Sequence, residues 1–266
     1  MDANLALICG LTFVIHLIGT LAYAARIAGV RTGHIAAALT LFNLLVLVSR
    51  TSNAVQSPFL AKRIDLAIKA SIPPQTADFH WILGSAALAT LVGFVLVPTS
   101  QRIFTRAVAV LQVRRSLLRV LLHAMHPQRL LLARRYIALP RVSNLRYLND
   151  HGGLSWWFLG LNAVSVALWT VGGFAALYAG ALEPSFRGTC GQLSAVINGV
   201  ATVLMFLLLD PKLSLLTDDV AHQRVGQGRF RAAVISVVGA RFVGVLLAQV
   251  LLVPAAILVV AVARRI

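Results

Sequence analysis

Residues 16–65 read HLIGTLAYAARIAGVRTGHIAAALTLFNLLVLVSRTSNAVQSPFLAKRID. Two apolar runs flank the short turn Gly29-Val30-Arg31-Thr32-Gly33, and each is long enough to cross a bilayer, which takes about 20 mostly apolar residues. The second run carries Arg50 in a setting otherwise suited to hydrocarbon. Insertion scales place a central arginine about 2.5–3.5 kcal/mol uphill. Such a charge needs a reason, and an anionic lipid headgroup would supply one.

The same composition runs outward through all 266 residues, of which 59% are hydrophobic and 12% charged, with a mean hydropathy of +0.84. Soluble domains carry about 25% charged residues. The chain therefore reads as an all-α integral membrane protein, a single polytopic membrane domain over residues 1–266. Six candidate transmembrane helices fall at about 4–25, 35–55, 80–98, 154–182, 190–210 and 232–263. Met1-Asp2-Ala3-Asn4 lacks the positive n-region of a cleavable signal, and Arg26 and Arg31 follow the first apolar run, so that run is expected to stay as a helix with its N-terminus outside. Alternating sides then puts 16 Lys and Arg into the cytoplasmic stretches 26–34, 99–153 and 211–231, against six outside. The positive-inside rule is satisfied with both termini outside, Arg264-Arg265 being a small violation.

A net charge of +16 raises nucleic acid as a partner, but charge placement argues for a membrane surface instead. Residues 102–125, RIFTRAVAVLQVRRSLLRVLLHAM, mix Arg102, Arg106, Arg114, Arg115 and Arg119 with Leu, Val and Phe. This is the pattern of a basic interfacial or cytoplasmic helix between helices 3 and 4, attracted to anionic lipid by about 1 kcal/mol per basic residue. A solvated loop that only fixes topology is the alternative. His123, His126 and His151 form no ligand set, and Cys9 and Cys190 have no zinc spacing, so no metal and no cofactor are expected. No Walker loop marks built-in ATP use.

Helical spacing gathers polar residues into stripes. Thr12, His16, Thr20 and Tyr23 share one face of the first helix; Asn43, Arg50, Asn53 and Ser57 share one on the second. Arg241 and Gln249 do so on the sixth, with weaker versions at Asn162 and Ser165 and at Ser194, Asn198 and Thr202. Polar stripes on membrane helices face protein or water, though Ser, Thr and Asn also serve as interhelical glue worth about 0.6–2 kcal/mol each. If the second helix ends near Gln56, Arg50 lies only about 9 Å from its outer end and snorkels; Arg241 is similarly ambiguous, because its long segment can slide in register. Small residues at Gly172, Ala176, Gly180 and at Ala240, Gly244, Ala248 suit close helix approach within the bundle or in a homo-oligomer. Asp210 ends the fifth helix, and without a mid-bilayer carboxylate His16 is the titrating group at depth. Asp218, Asp219 and His222 cluster on a cytoplasmic loop and are the candidates for an alternative, enzymatic reading on a phosphate substrate; a membrane scaffold is another.

The run Thr20-Leu21-Ala22-Tyr23, then Arg26-Ile27-Ala28-Gly29-Val30-Arg31-Thr32-Gly33, then Val46-Leu47-Val48-Ser49-Arg50-Thr51-Ser52-Asn53 and Gln56-Ser57-Pro58 resembles the Amj family of bacterial membrane proteins. The pattern departs at Gly19, where the family often has an acidic residue, so no proton-coupling role is carried to that position. The resemblance implies a flippase of the bacterial cytoplasmic membrane, moving lipid II, the undecaprenyl-pyrophosphate-linked peptidoglycan precursor, from the inner to the outer leaflet. It implies lipid II and membrane lipids as partners, with no nucleic acid. On that reading Arg26, Arg31 and Arg50, with His16, Asn43, Asn53 and Arg241, are the candidate pyrophosphate path, the guanidinium fork being matched to phosphate oxygens.

Overall fold

The computed structural model describes residues 2–72, 75–114, 116, 136–138 and 151–266. Among these the protein is helical: α1 (Ala3–Thr32), α2 (Ile35–Lys69), α3 (Thr76–Arg114), α4 (Trp156–Leu182), α5 (Arg187–Leu204), α6 (Asp210–Ala221) and α7 (Gln227–Ala263). A π-helical turn at Met205–Leu209 fuses α5 and α6, and with a 3-10 turn at Pro184–Phe186 they make one rod, Pro184–Ala221. Six rods are therefore long and apolar enough to cross a membrane, in agreement with the expected number.

Their bounds differ from the sequence expectation in one instructive way. Apolar windows mark where hydrocarbon can lie, whereas helical hydrogen bonding continues through Lys, Arg, Asp, Leu and Ala, which are tolerated or favoured in helices. Thus α2 does not stop near residue 55 but runs past Pro58 to Lys69, and the expected turn at 29–33 shrinks to Gly33 and His34. Gly33 takes the left-handed conformation, φ 71°, that ends α1; Gly29 lets α2 approach, since a Cβ there would lie 2.6 Å from that of Ala38. Residues 99–114 of the basic stretch are no separate interfacial helix: they extend α3 and pack Phe104, Val108 and Leu111 against the α1–α2 corner. Arg115, Arg119, His123 and His126 lie outside the described residues.

Two helix pairings build the bundle. α1 packs along α3 and α2, α4 packs along α7 and α5, and α3 against α7 joins the halves. The small-residue stripes serve these contacts inside the chain. Gly172 faces Ile197 and Asn198, Gly180 faces Arg187, and a Cβ on Gly244 would come within 2.4 Å of the Ala163 carbonyl oxygen. Asn162 adds a hydrogen bond to the Val237 carbonyl oxygen, 3.0 Å away. Thr12 is interhelical glue as well, accepting from Gln56 Nε2 at 2.5 Å.

Charge placement differs between the two ends. At the end holding both termini, Arg63 pairs with Asp2 at 2.5 Å and with Asp78 at 2.8 Å, Arg187 pairs with Asp65 at 2.8 Å, and Arg264 pairs with Glu183. The Arg264 guanidinium, helped by the Ser185 hydroxyl, holds the Glu183 carboxyl below the usual carboxylate range. At the opposite end, which carries the α1–α2 turn, Arg31 lies within electrostatic reach of Arg102 and Arg231, a cluster of one sign. Overpacking a close crossing costs about 1–3 kcal/mol. Gly244→Ala is expected to lower the thermal unfolding midpoint of purified protein, whereas Gly239→Ala, with nothing within 4 Å of its new Cβ, is expected to leave it unchanged.

Candidate functional site

Arg50 follows the first residue of α2 by 15 positions, and Arg241 follows the first residue of α7 by 14. At 1.5 Å per residue both stand about 21–23 Å from the turn end of the bundle, at a common depth. The extension of α2 to Lys69 leaves 19 further residues of helix beyond Arg50, about 28 Å, so Arg50 is not near the helix end as a stop at Gln56 would have made it.

Both arginines line one cavity of about 80 Å³. Its walls come from α1 (Gly19, Tyr23), α2 (Asn43, Ser49, Arg50), α4 (Trp169) and the π-turn with the start of α6 (Phe206, Asp210). Local sequence explains the opening. Gly19 has no side chain, and a Cβ there would lie 2.8 Å from Arg241 Nη2, so the bare backbone makes room for the guanidinium. Ser49 ties α2 to α1 by donating to the Ile15 carbonyl oxygen at 3.0 Å. α2 and α5 form no substantial mutual interface among the described residues, which leaves the cavity between them unfilled.

The charges here are unevenly matched. Arg241 is 5% exposed, and among the described residues its one hydrogen bond is Nε donating to Thr20 Oγ1 at 3.3 Å. Arg50 stacks over Phe206, 5.5 Å from the ring centroid, and hydrogen-bonds to nothing among the described residues. A cation–π contact is worth about 0.5–2 kcal/mol, which falls short of offsetting the uphill cost of an arginine at mid-bilayer. The cavity therefore holds two guanidinium groups with spare donors and would favour an anion with several oxygens.

Other candidate residues divide by distance from that anion site. Asn43 lines the same cavity. Arg26 stands behind the wall: it is 3% exposed, pairs through Nη2 with Asp210 Oδ1 at 2.8 Å, and lies over the Phe42 ring at 4.5 Å. Its Nε and Nη1 have no hydrogen-bond partner among the described residues. His16 is buried and meets Trp169 edge to face at 5.9 Å, with Nδ1 unpartnered among the described residues. Asn53 belongs to a neighbouring cavity toward the termini end, which shares Trp169 with the first. Arg31 is exposed in the basic cluster at the turn end. Asp218, Asp219 and His222 line neither cavity; His222 Nδ1 lies 2.8 Å from the Asp218 carbonyl oxygen, and Asp219 pairs with Arg224 at 3.5 Å.

Sequence reasoning missed Trp169, because an indole on an apolar helix carries no periodic signal, and missed the Arg26–Asp210 pair, whose members are 184 residues apart. The basic residue in the α1 polar face and the lone acid before Pro211 were the available clues.

A bundle of six helices long and apolar enough to span a membrane, with a cavity lined by two arginines, defines the class as a polytopic helical membrane protein. The chain belongs to the Amj family, described as Alternate to MurJ, which matches residues 11–263. It is similar to the Lipid II flippase Amj of Bacillus subtilis (strain 168), with 36% identity over 244 residues that cover 91% of this chain and 90% of that protein. No solved structure matches it.

Breaking a buried ion pair costs most when the partner left behind is the more buried one. Asp210→Ala, which strands Arg26, is expected to lower stability by about 3–5 kcal/mol, and Arg26→Met by less, since Asp210 retains 30% side-chain exposure. Denaturant titration of the purified pair of variants checks the order.

Proposed function

We propose that this protein is a lipid II flippase of the bacterial cytoplasmic membrane, and that the cavity bounded by Arg50 and Arg241 carries the pyrophosphate across mid-bilayer. The observation that carries the reading is the meeting of these two guanidinium groups in one cavity whose carboxylate, Asp210, is hydrogen-bonded to Arg26 and to neither of them among the described residues. A pyrophosphate cannot cross hydrocarbon unaided, because burying its charge in low dielectric is prohibitive. Two fork-shaped donors replace its hydration with charge-assisted hydrogen bonds. The polyprenyl tail stays in lipid beside α2 and α5, so the headgroup alone enters the seam.

The path has an order. The termini lie outside and the turn end faces the cytoplasm, a placement supported by the excess of Lys and Arg in the stretches at that end, Arg31, Arg102 and Arg231 among them. Arg31, with Arg102 and Arg231, meets the headgroup first. Arg26 takes part when a phosphate replaces Asp210 as its partner, and Asn43 hydrogen-bonds the headgroup as it passes to Arg50. His16 holds Trp169 in place, and Asn53 receives the headgroup beyond it. A cavity of about 80 Å³ is far too small for a disaccharide-pentapeptide, so α2 and the Pro184–Ala221 rod must part during transport. Their slight mutual contact supports this motion. Nothing in the scheme requires a second copy of the chain.

Arg50→Ala is expected to abolish growth rescue when the cell's other lipid II flippase is depleted, while leaving membrane abundance and unfolding temperature near wild type. Full rescue at normal abundance would remove Arg50 from the path. For orientation, alkaline phosphatase fused after Ile266 is expected to be active, and fused after Gly226 inactive.

A further inference from the structure

The second cavity has a different chemistry from the first. It measures about 190 Å³ and lies between α2, α4 and α5. Asn53, Gln56, Ser57, Thr170, Ser194 and Asn198 line it, and no lining residue is charged. Three of these carry buried oxygen atoms with no hydrogen-bond partner among the described residues: Gln56 Oε1, Thr170 Oγ1 and Asn198 Oδ1. Gln56 and Thr170 are 2% and 4% exposed. Leaving a buried polar group unsatisfied is costly, and three on residues lining one cavity call for a ligand that supplies donors once the lining side chains turn toward it. Trp169 forms the shared wall with the arginine cavity, and its indole offers an apolar face next to the amides and hydroxyls.

We infer that this neutral cavity is the subsite for the sugar joined to the pyrophosphate, taking an uncharged, hydroxyl- and amide-bearing ring while the phosphates lie at Arg50 and Arg241. The inference rests on the flippase reading and deepens it. A charged ligand portion finds no counter-ion in this cavity, and an alkyl chain would leave the three oxygens unpaired. An amide-bearing pyranose supplies a hydroxyl and an amide N–H as donors to Gln56 and Thr170 and an apolar ring face to Trp169. The adjoining cavities match the order of groups along such a headgroup, phosphate first and sugar next.

The test measures dissociation constants of the full-length protein in nanodiscs for undecaprenyl pyrophosphate and for lipid II. Wild type is expected to prefer lipid II. Thr170→Val and Gln56→Met are each expected to weaken lipid II binding about three- to tenfold, the loss of one hydrogen bond, and to leave undecaprenyl pyrophosphate binding unchanged. Thr170→Val preserves the Gln56–Thr12 hydrogen bond, so its effect is separate from any loss of helix packing. Arg50→Ala is expected to weaken both ligands. Equal weakening of both ligands by the Thr170 and Gln56 variants, or no weakening of either, overturns the subsite. Wild-type binding of both ligands without preference overturns the subsite alone; wild-type binding of neither overturns the flippase reading and the subsite with it.

Discussion

A guanidinium group at mid-depth in a helical bundle stays charged and must be given polar company. Arg241 is the residue around which this bundle is arranged: the missing side chain of Gly19 makes its space, Thr20 Oγ1 accepts from its Nε, and Trp169, Ser49 and Arg50 stand round the same cavity. The carboxylate in the cavity wall, Asp210, is paired with Arg26 and hydrogen-bonds to neither Arg50 nor Arg241 among the described residues, which leaves donors of both guanidinium groups open.

Arg26 illustrates the opposite solution a few turns away. It is equally buried, but Asp210 neutralises it and Phe42 covers its face. The pair fastens α1 to the start of α6, next to the π-turn at Met205–Leu209. π-turns interrupt the regular hydrogen-bond ladder and recur at functional sites. Here the turn places Phe206 and Asp210 in the cavity wall, on a rod whose other side chains, such as Val196, Val200 and Leu207, face outward. The rod leans chiefly on α4, through Gly172 and Gly180. Beyond that packing, the rod is tied by single ion pairs, Asp210 to Arg26 of α1 and Arg187 to Asp65 of α2.

Much of the fold was legible in the chain itself. The six apolar runs became six rods, and the stripe of Thr12, His16 and Thr20 turned inward as its spacing required. The identity of Arg50 and Arg241 as anomalous charges followed from hydropathy. Less legible was where each helix ended. The charged residues Lys62, Arg63 and Asp65 fall outside any apolar window yet continue α2, because they have good helical propensity and find ion-pair partners at the surface.

The sequence by itself determined that this is a multi-pass helical membrane protein with polar faces and two arginines in apolar surroundings, since hydropathy and helical periodicity are sums over neighbouring residues. Only the tertiary structure decided that Arg50 and Arg241 share a depth and a cavity, that Arg26 is neutralised by Asp210, and that Gln56, Thr170 and Asn198 converge beyond Trp169. Those facts depend on how each helix is rotated and where it crosses its neighbours. Rotation and crossing are set by side-chain packing between residues tens to hundreds of positions apart, which no periodicity along one helix records.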